Sequence, residues 1–533
     1  MAISSDSTAS PVAAEQSSTD ESPSIADLVA AAAIREPETT ALVVTADRRP
    51  VSYGELVRLV DDLAGQLKEG GLWPGDRIAL RAGSNAEFVV GLLAASRAGL
   101  IAVPLDPALP VGDQHARSKV AGAGVLLVDG EGPGDKDEPG LVRWTFAVTV
   151  GRDGAPSSVA LDAPAAPNPD VATPEGLRDD DAMIMFTGGT TGLPKMVPWT
   201  HTNIASSVRA IIAAYQLGPA DATVAVMPLY HGHGLIAALL STLASGGTVL
   251  LPARGKFSAH TFWDDIFAVG ATWYTAVPTI HQILLERNKT EQAKNTHATL
   301  RFIRSCSAPL TTETAQALQD TFGATVVCAF GMTEGTHQVA TTSVEEDENP
   351  AERTGLVGKS TSPEIRIVGP GGQPLPPEAV GEVWLRGPTV VRGYLGDPAI
   401  TAANFTDGWL RTGDLGSLSP AGDLSIRGRI KELINRGGEK ISPERVEGVL
   451  AGHPGVLEVA VLGLPDKMYG ETVAAVIVAR GSTPPSPEEL TEFCRDRLAP
   501  YEVPATFLHT SELPHTAKGS LDRRAVARQF GGT

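Results

Sequence analysis

Short apolar runs alternating with amphipathic ones constrain this chain more than any other feature. Ser52 followed by Glu55 matches a capping box. Leu56, Val57, Leu59, Val60, Leu63 and Leu67 then recur at helical spacing until Gly70 and Gly71 close the run. A strand over 77–80, a helix over about 86–97 and a further apolar strand over 100–105 follow. This order is βαβ grammar, which predicts a mostly parallel sheet covered by helices. It returns at 222–250 and 271–330, whereas 354–428 breaks into short strands separated by Gly and Pro, such as GEVWLRG at 381–387. Residues 129–180, rich in Gly, Pro, Asp and Ala, read as a surface excursion, and no internal repeat is found. The expected class is α/β. Residues 1–24 form a disordered tail, and 25–428 a large domain of two α/β subdomains plus a β-rich one. A small mobile α+β domain occupies 429–533.

With 533 residues the chain needs more than one core, and 42% apolar with 20% charged residues excludes disorder of the whole. The balance of 43 basic against 62 acidic residues, a net charge of −19, argues against nucleic acid or an anionic membrane as partner. Anionic small molecules stay open, because they need only a local positive site. Cys306, Cys328 and Cys494 lie too far apart to suggest a disulfide framework or a zinc site. The first 24 residues lack a basic region and an apolar core, and the terminal FGGT carries no peroxisomal address. No apolar run approaches the roughly 18 residues of a membrane helix. A cytoplasmic enzyme with a small-molecule substrate is the expectation; its oligomeric state is not legible.

The stretch 185–195, MFTGGTTGLPK, carries the most chemistry. An apolar strand runs into a loop of three glycines, three threonines and a lysine. Glycines let backbone N–H groups approach an oxyanion, hydroxyls add donors, and Lys195 adds charge. The spacing is not that of a Walker A loop.

The loop resembles the phosphate-binding loop of the acyl-adenylate-forming superfamily, which holds acyl-CoA synthetases, luciferases and peptide-synthetase adenylation domains. Four further segments agree in order: FGMTE at 330–334, WLRTGD at 409–414, GRIKELI at 428–434 and the glycine-rich turn at 437–440. The resemblance spans about residues 25–528 and implies ATP, Mg²⁺ and CoA. It places phosphate contacts at Thr187, Gly188, Gly189, Thr190, Thr191 and Lys195. Adenine falls near Ala308 and Phe330 with Gly331, Met332 and Thr333, Mg²⁺ at Glu334, and ribose at Asp414 and Arg429. Lys431 is then a hinge, while Gly437, Gly438 and Lys440 line the thiol approach. Runs such as MPLYHGHGL at 227–235 and RFIRSCSA at 301–308 narrow the resemblance to the oxalyl-CoA synthetase and 4-coumarate-CoA ligase-like branch. His231, His233, Ser305 and His337 are the candidate acid pocket. Cys306 reads as a small buried residue, Trp273 and Tyr274 as core, and Glu345 to Glu348 as a solvated loop.

One motif departs from the family. Its C-terminal loop reads roughly P-x-T-x-S-G-K, but here PHTAKGS at 514–520 puts Ser520 at the catalytic lysine position and Lys518 at the usual serine. Losing one preorganised charge costs on the order of 10²–10³ in rate. Three explanations stand: Lys518 substitutes, the serine was introduced to trap a complex, or the activated species is not a carboxylate. The last resembles diazotases, which activate nitrite for transfer to an amine. Lys518, Ser520, His231, Thr190 and Glu334 are thus the expected catalytic set. The expected reaction is activation of a small dicarboxylate such as oxalate. A nucleotide-binding relative without turnover is the non-enzyme alternative.

Overall fold

The computed structural model describes residues 22–44, 46–130, 141–152, 155–187, 194–291, 300–345, 355–481, 483–516 and 520–531. The helix Tyr53–Glu69 starts at Ser52, whose side chain accepts from the Glu55 N–H, and ends at Gly70. The reciprocal half of the capping box is absent, because the Glu55 carboxylate accepts from the Ser157 N–H at 3.0 Å instead. The helix Ala86–Arg97 has the bounds its pattern predicts, capped by Asn85. Both helices cover a seven-stranded sheet. Its order is Ser158–Asp162, Val142–Thr149, Ala123–Val128, Arg77–Arg81, Ile101–Leu105, Asp181–Phe186 and Met196–Thr200.

Two of those strands correct the sequence reading. Part of the supposed surface excursion is a hairpin, with Val142–Thr149 parallel to Ala123–Val128 and Ser158–Asp162 turning back against it. Trp144 is 0% exposed and Phe146 is buried beside it. A period-two pattern inside a Gly- and Pro-rich segment carried the strand, and composition hid it.

The second sheet is parallel through Thr40–Val44, Thr248–Leu250, Ala222–Val224, Trp273–Ala276, Phe302–Cys306 and Thr325–Met332. It turns antiparallel at His337–Thr341 and Leu356–Ser360. Leu356–Ser360 also pairs with Leu424–Arg429, so the β-rich region continues this sheet. Trp273, Tyr274 and Cys306 are core, as expected. The smaller C-terminal sheet is built on the long pair Val456–Asp466 and Gly470–Ala479, flanked by Ile434–Arg436, Glu439–Ile441 and Thr506–Thr510. An Arg480–Glu286 ion pair at 2.9 Å joins it to the large domain, but both groups are over 40% exposed, so it contributes little. Among the described residues no helix is long and apolar enough to cross a membrane.

Candidate functional site

The parallel strands converge on the end of Thr325–Met332, where the chain reverses through a 3₁₀ turn, Thr333–Gly335, into His337–Thr341. The reversal is tight. A Cβ on Gly331 would lie 1.8 Å from the His337 carbonyl oxygen, so only glycine fits. Thr336 and His337 both hold positive φ, at 48° and 77°, a costly arrangement for non-glycine residues and one that clusters at functional sites. Ser207 donates to the Thr336 carbonyl at 2.6 Å and the Thr336 hydroxyl donates to the Thr389 carbonyl at 2.7 Å, which holds the turn.

Glu334 sits in that turn, buried, with its Oε1 accepting from the Tyr394 hydroxyl at 2.8 Å. The ammonium of Lys195 lies 4.3 Å from the centre of the Tyr394 ring. Burial lowers the Lys195 pKa, the Glu334 charge opposes that, and the Lys431 charge adds to it. The predicted metal carboxylate, loop lysine and hinge lysine therefore share one electrostatic environment. Thr187 donates its N–H to the Lys195 carbonyl at 3.1 Å, closing the base of the loop. Gly188, Gly189, Thr190 and Thr191 lie outside the described residues.

The neighbouring strands put Asp414 opposite Arg429. The Arg429 Nε donates to Asp414 Oδ1 at 2.9 Å, while Asp414 Oδ2 is buried without a hydrogen-bond partner. Burial pushes the Asp414 carboxyl up to about 6, with Arg429 opposing and Glu444 and Glu334 adding to the rise. An unsatisfied buried carboxylate oxygen fits a ligand that brings its own hydroxyl donors, as a ribose does. Among the described residues no three His, Cys, Asp or Glu side chains gather to hold a metal. One carboxylate at Glu334 suits Mg²⁺ carried in on phosphates, the usual arrangement for that ion. Phe330 and Met332 are half-buried at the edge of the apolar cluster that includes Val339 and Ile367, and Ala308 is exposed.

Because an ionised Asp414 accepts from hydroxyls with both oxygens and more strongly than a protonated one, ATP affinity should fall as pH drops through about 6. The raised pKa has the opposite sign for the empty fold: its contribution to stability is full below the unfolded carboxyl value and lost as pH rises through about 6. ATP-induced thermal shifts measured from acid to neutral pH in wild type and Asp414→Asn check this. Parallel profiles in the two proteins would refute the ribose contact.

On the other side of the turn lies a buried cation. Arg304, on Phe302–Cys306, is 0% exposed. It donates from Nε to the Tyr215 hydroxyl at 2.9 Å, from Nη1 to Thr275 Oγ1 at 3.0 Å and from Nη2 to Gln338 Oε1 at 2.9 Å. It also meets His233 Nε2 at 3.2 Å and His337 Nε2 at 3.1 Å, with Cys306 on the same strand. The two imidazoles stack at 5.2 Å between centroids. Burial, then the Arg304 charge, hold the His233 pKa well below its ordinary value.

Of the predicted acid-pocket residues, His233 and His337 thus come together. His231 stands outside the Arg304 hydrogen bonds, edge-on to Tyr230 at 4.8 Å. Ser305 alternates to the opposite strand face from Arg304, and its buried Oγ has no partner. The hydroxyl that meets His233 Nδ1, at 3.1 Å, belongs to Ser307. Gly437 and Gly438 turn the hairpin between Ile434–Arg436 and Glu439–Ile441 at φ 60° and 99°, exposed together with Lys440. Ser520 bonds within its own hairpin, its Oγ 2.8 Å from Thr516 Oγ1. Lys518 lies outside the described residues. Sequence reasoning missed Arg304, Thr275, Ser307 and Tyr394. The only signal for Arg304 was a cation inside an otherwise apolar strand.

The AMP-binding enzyme family model matches residues 29–395 and its C-terminal domain model matches 445–520. Oxalate–CoA ligase of Arabidopsis thaliana is 40% identical over 513 residues, covering 96% of this chain and 99% of that one. The ATP-bound MatB structure from Rhodopseudomonas palustris superposes with a TM-score of 0.81 at 28% identity over 95% of this chain and 99% of that one. O-succinylbenzoate–CoA synthetase of Bacillus subtilis with ATP and magnesium gives 0.78 at 30% identity, covering 93% and 98%.

Proposed function

The chain belongs to the AMP-binding enzyme family, and within it we propose that this protein activates a small dicarboxylate, oxalate before others, and passes it to coenzyme A. That it is an AMP-forming acid–CoA ligase using ATP, Mg²⁺ and CoA follows from the family and its ligase relatives. A carboxylate resists attack by a thiol because the leaving group would be an oxide. Attack of its oxygen on the α-phosphate of ATP makes an acyl-AMP and releases pyrophosphate. The CoA thiol then displaces AMP, losing its proton.

One observation carries the substrate reading: Arg304 is fully buried, and among the described residues its partners are a phenol, a hydroxyl, an amide, two imidazoles and the Cys306 thiol, none of them a carboxylate. A buried unpaired charge is costly. Tyr215 and Cys306 already favour the charge, and an anionic substrate adds to that support, a second carboxylate more than an acyl chain would. The name of the Arabidopsis relative agrees. Lys195, Glu334, Asp414 and Arg429 are assigned to ATP-Mg²⁺, and His233 and His337 to the acid.

The test is pyrophosphate release with ATP-Mg²⁺ across oxalate, malonate, acetate, a cinnamate, a medium-chain fatty acid and nitrite, each with and without CoA. Oxalate should lead, and CoA should raise its rate. A preference for cinnamate or the fatty acid would overturn the dicarboxylate. Release with nitrite that ignores CoA would overturn the acceptor as well.

A further inference from the structure

We propose that Arg304 is a positioning residue that fixes His233 and His337 as neutral imidazoles with bare Nε2, so that His233 donates from Nδ1 to Ser307 and leaves the Ser307 hydroxyl proton free for the incoming acid. The inference rests on the acid-pocket reading and goes further, since it fixes proton positions and adds Ser307 as the residue that touches substrate.

A guanidinium has only donors. Each N–H of Arg304 already has a partner, so the group has none to spare for substrate. Its contacts with His233 Nε2 and His337 Nε2 are hydrogen bonds only where those nitrogens carry lone pairs; a protonated Nε2 would set donor against donor. Thr275 fits the same arrangement at His233. Its oxygen accepts from Arg304 and lies 2.6 Å from His233 Nε2, so with Nε2 kept bare by Arg304 the Thr275 hydroxyl donates to that nitrogen as well. A neutral imidazole with a bare Nε2 carries its proton on Nδ1. At His233 that nitrogen is 3.1 Å from Ser307 Oγ, which therefore accepts. The Ser307 proton must then point away from the ring.

Ser307 is where such a donor is useful. It follows the end of the strand Phe302–Cys306, is exposed while Arg304 and His233 are buried, and holds φ at 73°. It precedes Ala308, the residue assigned to the adenine side. The charged and titratable groups facing the pair come from every element around it. Arg304 and Cys306 lie on its strand, Tyr215 on the helix His201–Tyr215, His281 on the helix Pro278–Glu291, and His231 precedes His233. None of these is a carboxylate that would favour imidazolium. The cation at Arg304 thus acts on the acid through two neutral rings, and recognition keeps one protonation state across the working range.

The first measurement is nitrogen-15 NMR of the wild-type protein, with the His233 and His337 rings assigned by loss of signal in His233→Asn and His337→Asn. The expected result is Nδ1–H with bare Nε2 on both rings, with no titration near the ordinary histidine value of about 6.5. A protonated Nε2, or titration near that value, would overturn the proposal whatever the acid proves to be. The second is a double-mutant cycle on KM for whichever acid the pyrophosphate assay selects. Ser307→Ala should raise that KM on the order of ten-fold with KM for ATP unchanged. In an Arg304→Met background it should add no more than about two-fold. Additive effects, or a Ser307→Ala protein with wild-type acid KM, would refute the relay even if Arg304→Met fails to fold.

Discussion

Replacing Lys518 with alanine is expected to slow adenylate formation by about 10²–10³-fold. The carboxylate, the ATP phosphates and a developing pentacoordinate phosphorus must share one site, and each fixed cation lowers the barrier because its field needs no reorganisation. The sequence reading puts Ser520 at the position of the family's lysine; its hydroxyl is tied to Thr516 at 2.8 Å while its carbonyl accepts from the Thr516 N–H at 2.8 Å. A serine so anchored supplies no charge. Lys518 is two residues away. It is the cation nearest in sequence to that position, and the prediction assigns the missing charge to it. Single-turnover pyrophosphate release from Lys518→Ala measures the loss, with thioester formation from added acyl-AMP as the control that should hold. Exchanging the two residues, Lys518→Ser with Ser520→Lys, should return the rate. A Lys518→Ala protein as fast as wild type would place the neutralising charge elsewhere.

Local signals were legible in the sequence and long-range ones were not. The helix Ala86–Arg97 could be bounded because its cap, its period and its last-turn arginine lie within a dozen residues. The strand bearing Trp144 could not, because its alternation is short and its burial depends on a sheet assembled from distant segments. Asp414 and Arg429 were readable as motif residues, but their pairing is a matter of strand register. Arg304 shows the limit most plainly. Its partners come from residues 215, 233, 275, 337 and 338, on four separate elements, and no local pattern announces such a meeting. That Ser307 rather than Ser305 meets His233 has a local reason: the strand ends at Cys306, and a positive φ at Ser307 turns the chain out of alternation.

Glu334→Gln should cost adenylation about 10²–10³-fold, and raise the Mg²⁺ concentration needed for half-maximal rate, while leaving the empty fold nearly intact. The substitution keeps the shape of the side chain, and its amide oxygen still accepts from the Tyr394 hydroxyl that now holds Oε1 at 2.8 Å. The 3₁₀ turn is also held through its main chain, where the Val391 N–H donates to the Glu334 carbonyl at 2.9 Å. What the variant loses is a negative charge in a buried position shared with Lys195 and Arg429. Without it two cations and the ATP phosphates remain, so nucleotide alone should still bind. The metal loses its protein anchor, and the orientation of the phosphates suffers with it. Rate against Mg²⁺ at saturating ATP separates these effects, with metal-free ATP binding as the control. An unchanged Mg²⁺ requirement together with a collapsed rate would move Glu334 from metal ligand to phosphate-loop support, acting through Lys195 and Tyr394.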